Sequence, residues 1–261
     1  MSVALLATAC GSSAEPPGAT PQPTLVPTVL ANPDEDISNG IDELTPQEAL
    51  DQAREALEFA ASYRVSGAPT AGAPLDLVFV AGEVVEGVDP PDEAGDEAEP
   101  ARVGRGSVGT VSQDGSTFKL RAVDGDVYVQ GNLEWLADTV VDDAARTLGD
   151  KWLLLPESVS ADLVAFTDPA AFAEAVLSPT GSLQSVGASV IDGTPAVGIR
   201  FLDSEATAWI AGVGEPYPVL VERLGATATD GVLRLSDFDE DVTLAAPEAS
   251  DVVVASSPPD E

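Results

Sequence analysis

Apolar residues recur along this chain in two rhythms. Before residue 62 they fall three and four apart. Leu50, Ala53, Leu57, Ala60 and Ala61 share one face there, which predicts an amphipathic helix. Thr45 can cap that helix, Pro46 suits its first position, and Glu48 completes a capping box. From Tyr63 the period drops to two. Residues 63–67 read as extended, and 74–85 as a second strand with Leu75, Leu77 and Phe79 on one side. In 116–123, Phe118, Leu120 and Ala122 alternate with Lys119 and Arg121, and Val127 and Val129 continue past the next turn. Leu233 and Leu235 alternate against Val232, Arg234 and Ser236. Asp-Gly pairs at 114–115, 124–125, 192–193 and 230–231 separate such runs, a strong hairpin signal. Further strands are predicted over 182–191, 196–202, 206–211, 217–224 and 231–235, with a turn at 213–216.

The helical rhythm returns twice. Asn132 can cap a helix with Leu133, Leu136, Ala137, Val140, Val141, Ala144 and Leu148 as its apolar positions and Gly149 as its stop. Asp168-Pro169 opens another, with Phe172, Val176 and Leu177 inward and Pro179 after it; 163–166 reads as a short turn between the two. Antiparallel strands with one apolar face, interrupted by helices, predict an α+β fold with the helices laid across that face. The folded domain spans 45–254. Residues from Asp251 read as untethered, with 255–261 as a flexible tail.

Composition changes what this domain can meet. The chain has 261 residues, 45 acidic against 11 basic, and a formal net charge of −34. Nucleic acid is excluded, because its binding rests on cationic contacts to phosphate, and an anionic membrane face would repel the protein surface. Such a charge favours a soluble monomer. The stretch DPPDEAGDEAEP, 89–100, is an acidic insert that reads as a solvated loop rather than a calcium cage.

Cysteine occurs once, so no intrachain disulfide forms. Residues 5–10, LLATAC, followed by Gly-Ser-Ser, look like a bacterial lipobox. On that reading 1–9 is a signal peptide, and Cys10 carries acyl chains such as palmitate and becomes the mature N-terminus. The plainer alternative is an ordinary N-terminus with a free cysteine. Stable attachment needs two or three acyl chains, since one holds only marginally at ~0.8 kcal/mol per buried CH2. Residues 10–44 then form the lipidated cysteine and a disordered tether, with prolines at 16, 17, 21, 23, 27 and 33. A coil of that length reaches roughly 30 Å, which places an acidic domain beyond the ~8 Å screening length of the membrane face.

Chemistry finds little foothold. Histidine is absent, which removes Ser-His and Cys-His nucleophile pairs. Asp237, Asp239, Asp241 and Glu248 have part of a calcium-loop spacing, but Val242 stands where the sharp turn needs glycine. The chain is read as no enzyme, with no cofactor and no metal. Trp135, Trp152 and Trp209 read either as packed aromatics or as residues at a cavity mouth.

Four stretches together resemble the actinobacterial LppX/LprAFG lipoproteins, whose fold is similar to LolA and LolB: DGSTFKLRAVDGDVYVQG (114–131), GDKWLLLP (149–156), AWIAGVGEPYPVLVE (208–222) and LSDFDEDVTLAAP (235–247). The resemblance runs from about 45 to 254. It implies a strongly curved antiparallel β-sheet, a half-barrel, whose concave face is closed by helices over an apolar cavity for acyl chains. Its function would be to bind and shuttle an envelope lipid or glycolipid, held at the cell membrane through acylated Cys10, with a transporter or envelope protein as a candidate partner. The acidic insert and the extreme charge depart from the family. On alternation, Phe118, Leu120, Val127, Val129, Ile199, Phe201, Leu233 and Leu235, with Leu136 and Val140 from the helix, would line the cavity. The same residues would form an ordinary core if the chain were a surface interaction or signalling lipoprotein with no functional cavity.

Overall fold

The structure is a computed structural model and describes residues 38–84, 102–113, 115–131, 149–178, 181–227 and 230–254. The predicted tether up to 37, the acidic insert, the helix over 132–148 and the tail over 255–261 lie outside these residues.

The first helix, α1 (Pro46–Phe59), forms for the reasons its sequence states. Thr45 accepts from the Glu48 N–H while Glu48 reaches back to the Thr45 N–H, and Pro46 stands at the first position. Ala49, Leu50, Ala53 and Leu57 form its buried stripe; Ala61, expected on that stripe, is exposed. Ahead of α1, residues 38–44 are docked and do not belong to the tether. Ile41, in a 3-10 turn (Ile41–Glu43), is buried in the core, and the Asn39 side chain donates to the carbonyls of Ala211 at 2.9 Å and Gly214 at 3.0 Å.

Fourteen strands follow among the described residues: β1 (Ser62–Ala68), β2 (Leu75–Val80), β3 (Glu83–Val84), β4 (Arg102–Val103), β5 (Gly106–Gln113), β6 (Ser116–Val123), β7 (Asp126–Gly131), β8 (Trp152–Leu154), β9 (Leu183–Ile191), β10 (Thr194–Phe201), β11 (Ala206–Ala211), β12 (Pro218–Thr227), β13 (Asp230–Ser236) and β14 (Val252–Val254). β3 and β4 pair alone. The other twelve make one open sheet in the order β14-β8-β7-β6-β5-β2-β1-β13-β12-β11-β10-β9. Every pairing is antiparallel except β14 with β8. The sheet is thus two meanders joined where β1 meets β13.

The turns follow their chemistry. Asp124-Gly125 and Asp192-Gly193 have both residues at positive φ, the form of a two-residue hairpin turn that matches strand twist. Asp230-Gly231, expected as a turn, instead begins β13, with Asp230 opposite Thr227. β14 corrects the expectation of an untethered chain after Asp251: its three valines pair with 152–154.

Between β8, near one edge, and β9, at the other, the chain must cross the whole sheet. It does so as α2 (Glu157–Ser160), a 3-10 turn (Ala161–Leu163), α3 (Val164–Thr167) and α4 (Pro169–Leu177). Asp168 caps α4 by accepting from the Ala171 N–H at 2.8 Å, and Phe172, Ala173 and Leu177 are buried. Arg54 ties α1 to the end of α4 by donating to the Leu177 carbonyl at 3.2 Å. The face beneath is continuous. Val129, Leu120, Gly109, Leu77, Val65 and Leu235 sit opposite one another across six strands. Gly109 must be glycine, because a Cβ there would lie 2.0 Å from the Asp76 carbonyl oxygen. At the middle of this face Tyr63 stacks on Phe79 at 5.1 Å, and Phe79 meets Phe172 of α4 at 4.9 Å.

Candidate functional site

The predicted cavity residues divide into two groups. Phe118, Leu120, Val127 and Val129 stand on neighbouring β6 and β7, with Leu120 opposite Val129. Ile199, Phe201, Leu233 and Leu235 stand on β10 and β13. All eight belong to one core cluster, and none is more than 7% exposed. Leu136, Val140 and Trp135 lie outside the described residues. The middle of the layer between sheet and helices is occupied by Tyr63, Phe79 and Phe172.

Space opens on either side of that middle. The first cleft, about 540 Å3, lies between the ends of β5–β7 and the α2–α3 block. Ala122, Val127, Ala161 and Val164 make it apolar, while Arg105, Asp124, Glu157, Ser160, Thr167 and Asp168 also line it. Arg105 grips Asp168, with Nε donating to Oδ2 at 2.8 Å and Nη2 to Oδ1 at 3.3 Å, and its backbone N–H donates to Asp124 at 3.2 Å. Just behind, the Ser107 hydroxyl donates to the Phe166 carbonyl at 2.6 Å and the Tyr63 hydroxyl to the Pro169 carbonyl at 3.1 Å. Burial, with Asp168 adding to it, holds the Tyr63 phenol well above its ordinary range.

The second cleft, about 290 Å3, lies between α4 and β10–β13. Phe201, Ala206, Val221 and Leu233 form its apolar side on the sheet, and Ala175 and Val176 come from α4. Ser178, Ser204, Glu222 and Arg223 are its polar residues; Arg223 pairs with Asp230 at 2.5 Å, and Glu222 accepts from the Trp209 indole at 3.0 Å.

Of the predicted cavity residues, Val127 reaches the first cleft and Phe201 and Leu233 the second. Val164 and Val221 join them without having been singled out, and Val176 comes from the inward side predicted for α4. Arg105 was also missed; its signal was its rarity, one of 11 cations in an acidic chain.

Four other sequence candidates have structural employment. Trp152 lies under the Arg121 guanidinium at 5.0 Å. The Trp209 ring covers Gly198, where a Cβ would meet it at 2.8 Å. Asp239 accepts from the Ala61 N–H at 2.8 Å and the Tyr217 hydroxyl at 2.7 Å, while Asp237 lies 3.8 Å from Arg64. Among the described residues no group of three or more Cys, Asp or Glu is placed to hold a metal ion, and no helix is long and apolar enough to cross a membrane.

Solved structures similar to this chain include two from the actinobacterial lipoprotein group that its sequence motifs resemble. LprF from Mycobacterium bovis is 12% identical, with 77% of this chain and 96% of that one covered at a TM-score of 0.46. LppX from Mycobacterium tuberculosis is 19% identical, with 77% and 98% covered at 0.41. An uncharacterized conserved protein from Thermus thermophilus is 13% identical, with 80% and 98% covered at 0.35. No protein-family model and no curated protein matches the sequence.

Proposed function

We propose that this chain is a lipoprotein, anchored to the extracytoplasmic face of the cell membrane through acylated Cys10, that binds an amphiphilic envelope lipid and hands it on without covalent chemistry. The observation that carries the reading is the second cleft, where Phe201, Ala206, Val221 and Leu233 offer an apolar wall against α4 beside polar residues. Its size, like that of the first cleft, suits a small ligand or part of a larger one, since such sites run from about 300 to 1,000 Å3. Alkyl transfer from water contributes ~0.8 kcal/mol per CH2, while association costs roughly 4–15 kcal/mol. Ten methylenes, about 8 kcal/mol, reach only the middle of that cost, and the reading calls for long chains. A curved sheet closed by helices on its concave side is part of the same proposal.

A second reading also has an observation in its favour. The eight described cavity candidates are packed as a core, as they would be in a surface interaction or signalling lipoprotein with no functional cavity.

Native mass spectrometry of the full chain, expressed in an actinobacterial host, separates the two. A lipid-mass adduct is expected on the wild type. Val221→Trp, which fills the second cleft, should reduce its occupancy at least fivefold while the far-ultraviolet dichroism stays native; Ala122→Trp makes the same test of the first cleft. Unchanged lipid occupancy in both folded variants would overturn the proposal, and so would a wild type with no adduct and no uptake of long-chain lipid from vesicles.

A further inference from the structure

A groove between the solvent side of α1 and the 213–216 turn shares no residue with either cleft. Gln52, Glu55, Ala56 and Phe59 follow one another at helical spacing along one side of α1, and Glu215, Pro216, Tyr217 and Asp239 face them across about 580 Å3. Phe59 is 73% exposed, more than any other large apolar side chain among the described residues. An aromatic ring left in water at a groove wall is the kind of anchor around which interfaces concentrate their binding energy. The opposite wall is rigid. Phe238 stacks on Tyr217 at 4.1 Å with the rings 4° from parallel, and the Tyr217 hydroxyl is held by Asp239, which also receives the Ala61 N–H.

Charge selects the occupant. Three carboxylates, Glu55, Glu215 and Asp239, line the groove, and among the described residues no cation does. We propose that this groove docks a basic segment of a partner protein, with an arginine guanidinium against Phe59 and Tyr217 and within reach of Glu55 and Glu215. A guanidinium is planar and weakly hydrated, so it stacks on aromatic faces while its edge pairs with carboxylates. A second copy of this chain is disfavoured, because each copy carries a net charge of −34. An anionic lipid surface is disfavoured for the same reason.

The test is calorimetric titration of the full chain with a synthetic peptide of three Arg-Leu repeats, and with the same peptide carrying Glu for Arg. The Arg peptide should bind and the Glu peptide should not, and 1 M salt should remove binding. Phe59→Ala should weaken binding about fivefold or more, as expected for loss of an exposed cation–π contact and its apolar area. Glu215→Gln, on the other wall, should weaken it in the same direction without touching α1. Equal binding by wild type and Phe59→Ala would reduce the effect to bulk charge and overturn the proposal. Binding of the Glu peptide would also overturn it. So would self-association of the wild type, abolished by Phe59→Ala, which would make a second copy the occupant.

Discussion

Tyr63→Phe tests how the roof is pinned to the sheet. The Tyr63 ring is 1% exposed, lies 5.1 Å from Phe79 and 6.1 Å from Phe172, and its hydroxyl reaches the Pro169 carbonyl at 3.1 Å. The substitution keeps the ring packing and removes one buried hydrogen bond, at a cost of about 1–2 kcal/mol at pH 7. The alkaline behaviour is more distinctive. Burial first, then Asp168, raises the Tyr63 phenol well above 10. The folded state therefore keeps a proton that the unfolded chain sheds, so the stability it contributes is full below pH 10 and is lost as pH climbs through the folded value. In that window wild-type stability falls by ~1.4 kcal/mol per pH unit for this one group. The phenylalanine variant has no such group, so its deficit should close about one pH unit above 10 and then reverse. Tyr128 and Tyr217 are also raised by burial, so the variant keeps part of the wild type's alkaline slope. Urea unfolding at pH 7, 9, 10 and 11, followed by circular dichroism, measures both effects. A deficit that stays constant across that range would refute the buried-phenol account.

Asp168→Ala should cost about 2–3 kcal/mol in the same assay, because it removes both the α4 cap and the Arg105 pair. Asp168→Asn keeps a good cap and should recover about 1 kcal/mol of that; equal losses would mean that the cap contributes nothing. Gly109→Ala should destabilise by about 2–3 kcal/mol, since its Cβ meets backbone of the adjacent strand at 2.0 Å. Gly212→Ala, whose nearest neighbour would be 3.5 Å away, should be close to neutral, and similar losses at the two sites would count against the close-approach argument.

Local chemistry made much of the fold legible in the sequence. The capping box at Thr45, the Asp168-Pro169 start of α4 and the turns at Asp124-Gly125 and Asp192-Gly193 are each complete within a few residues. What escaped depends on partners far along the chain. Asn39 is fixed by carbonyls 172 and 175 residues away, so a proline-rich composition concealed a docked segment with a buried Ile41. β14 is only three residues long and exists through a parallel pairing with β8. The Asp230-Gly231 pair promised a turn, but the irregular register between Glu222 and Thr227 carries β12 to Thr227 and leaves the pair in β13. Alternation located the apolar face correctly. It could not weigh the filling of that face, because a wall and a core demand the same residues.

That filling follows from where the large and small side chains fall. Tyr63, Phe79 and Phe172 are concentrated where β1 and β2 pass beneath α4, so the layer is closed at its middle. Toward β5–β7 the cleft is bordered by the small residues Gly106 and Ala122, and toward β10–β13 the sheet contributes Ala206 and Gly231. Interiors pack to near-crystalline density, so room is left where side chains are too short to bridge sheet and helix. In the proposed function, long alkyl chains would therefore enter at the flanks and run beside the aromatic middle. On that account, discrimination among headgroups falls to residues beside two separate openings: Arg105 with Asp124, Glu157 and Asp168 at one, and Arg223 with Glu222 at the other. The first set carries two more negative charges than positive, and at the second Arg223 is already paired with Asp230 beside Glu222, so neither opening favours an anionic headgroup.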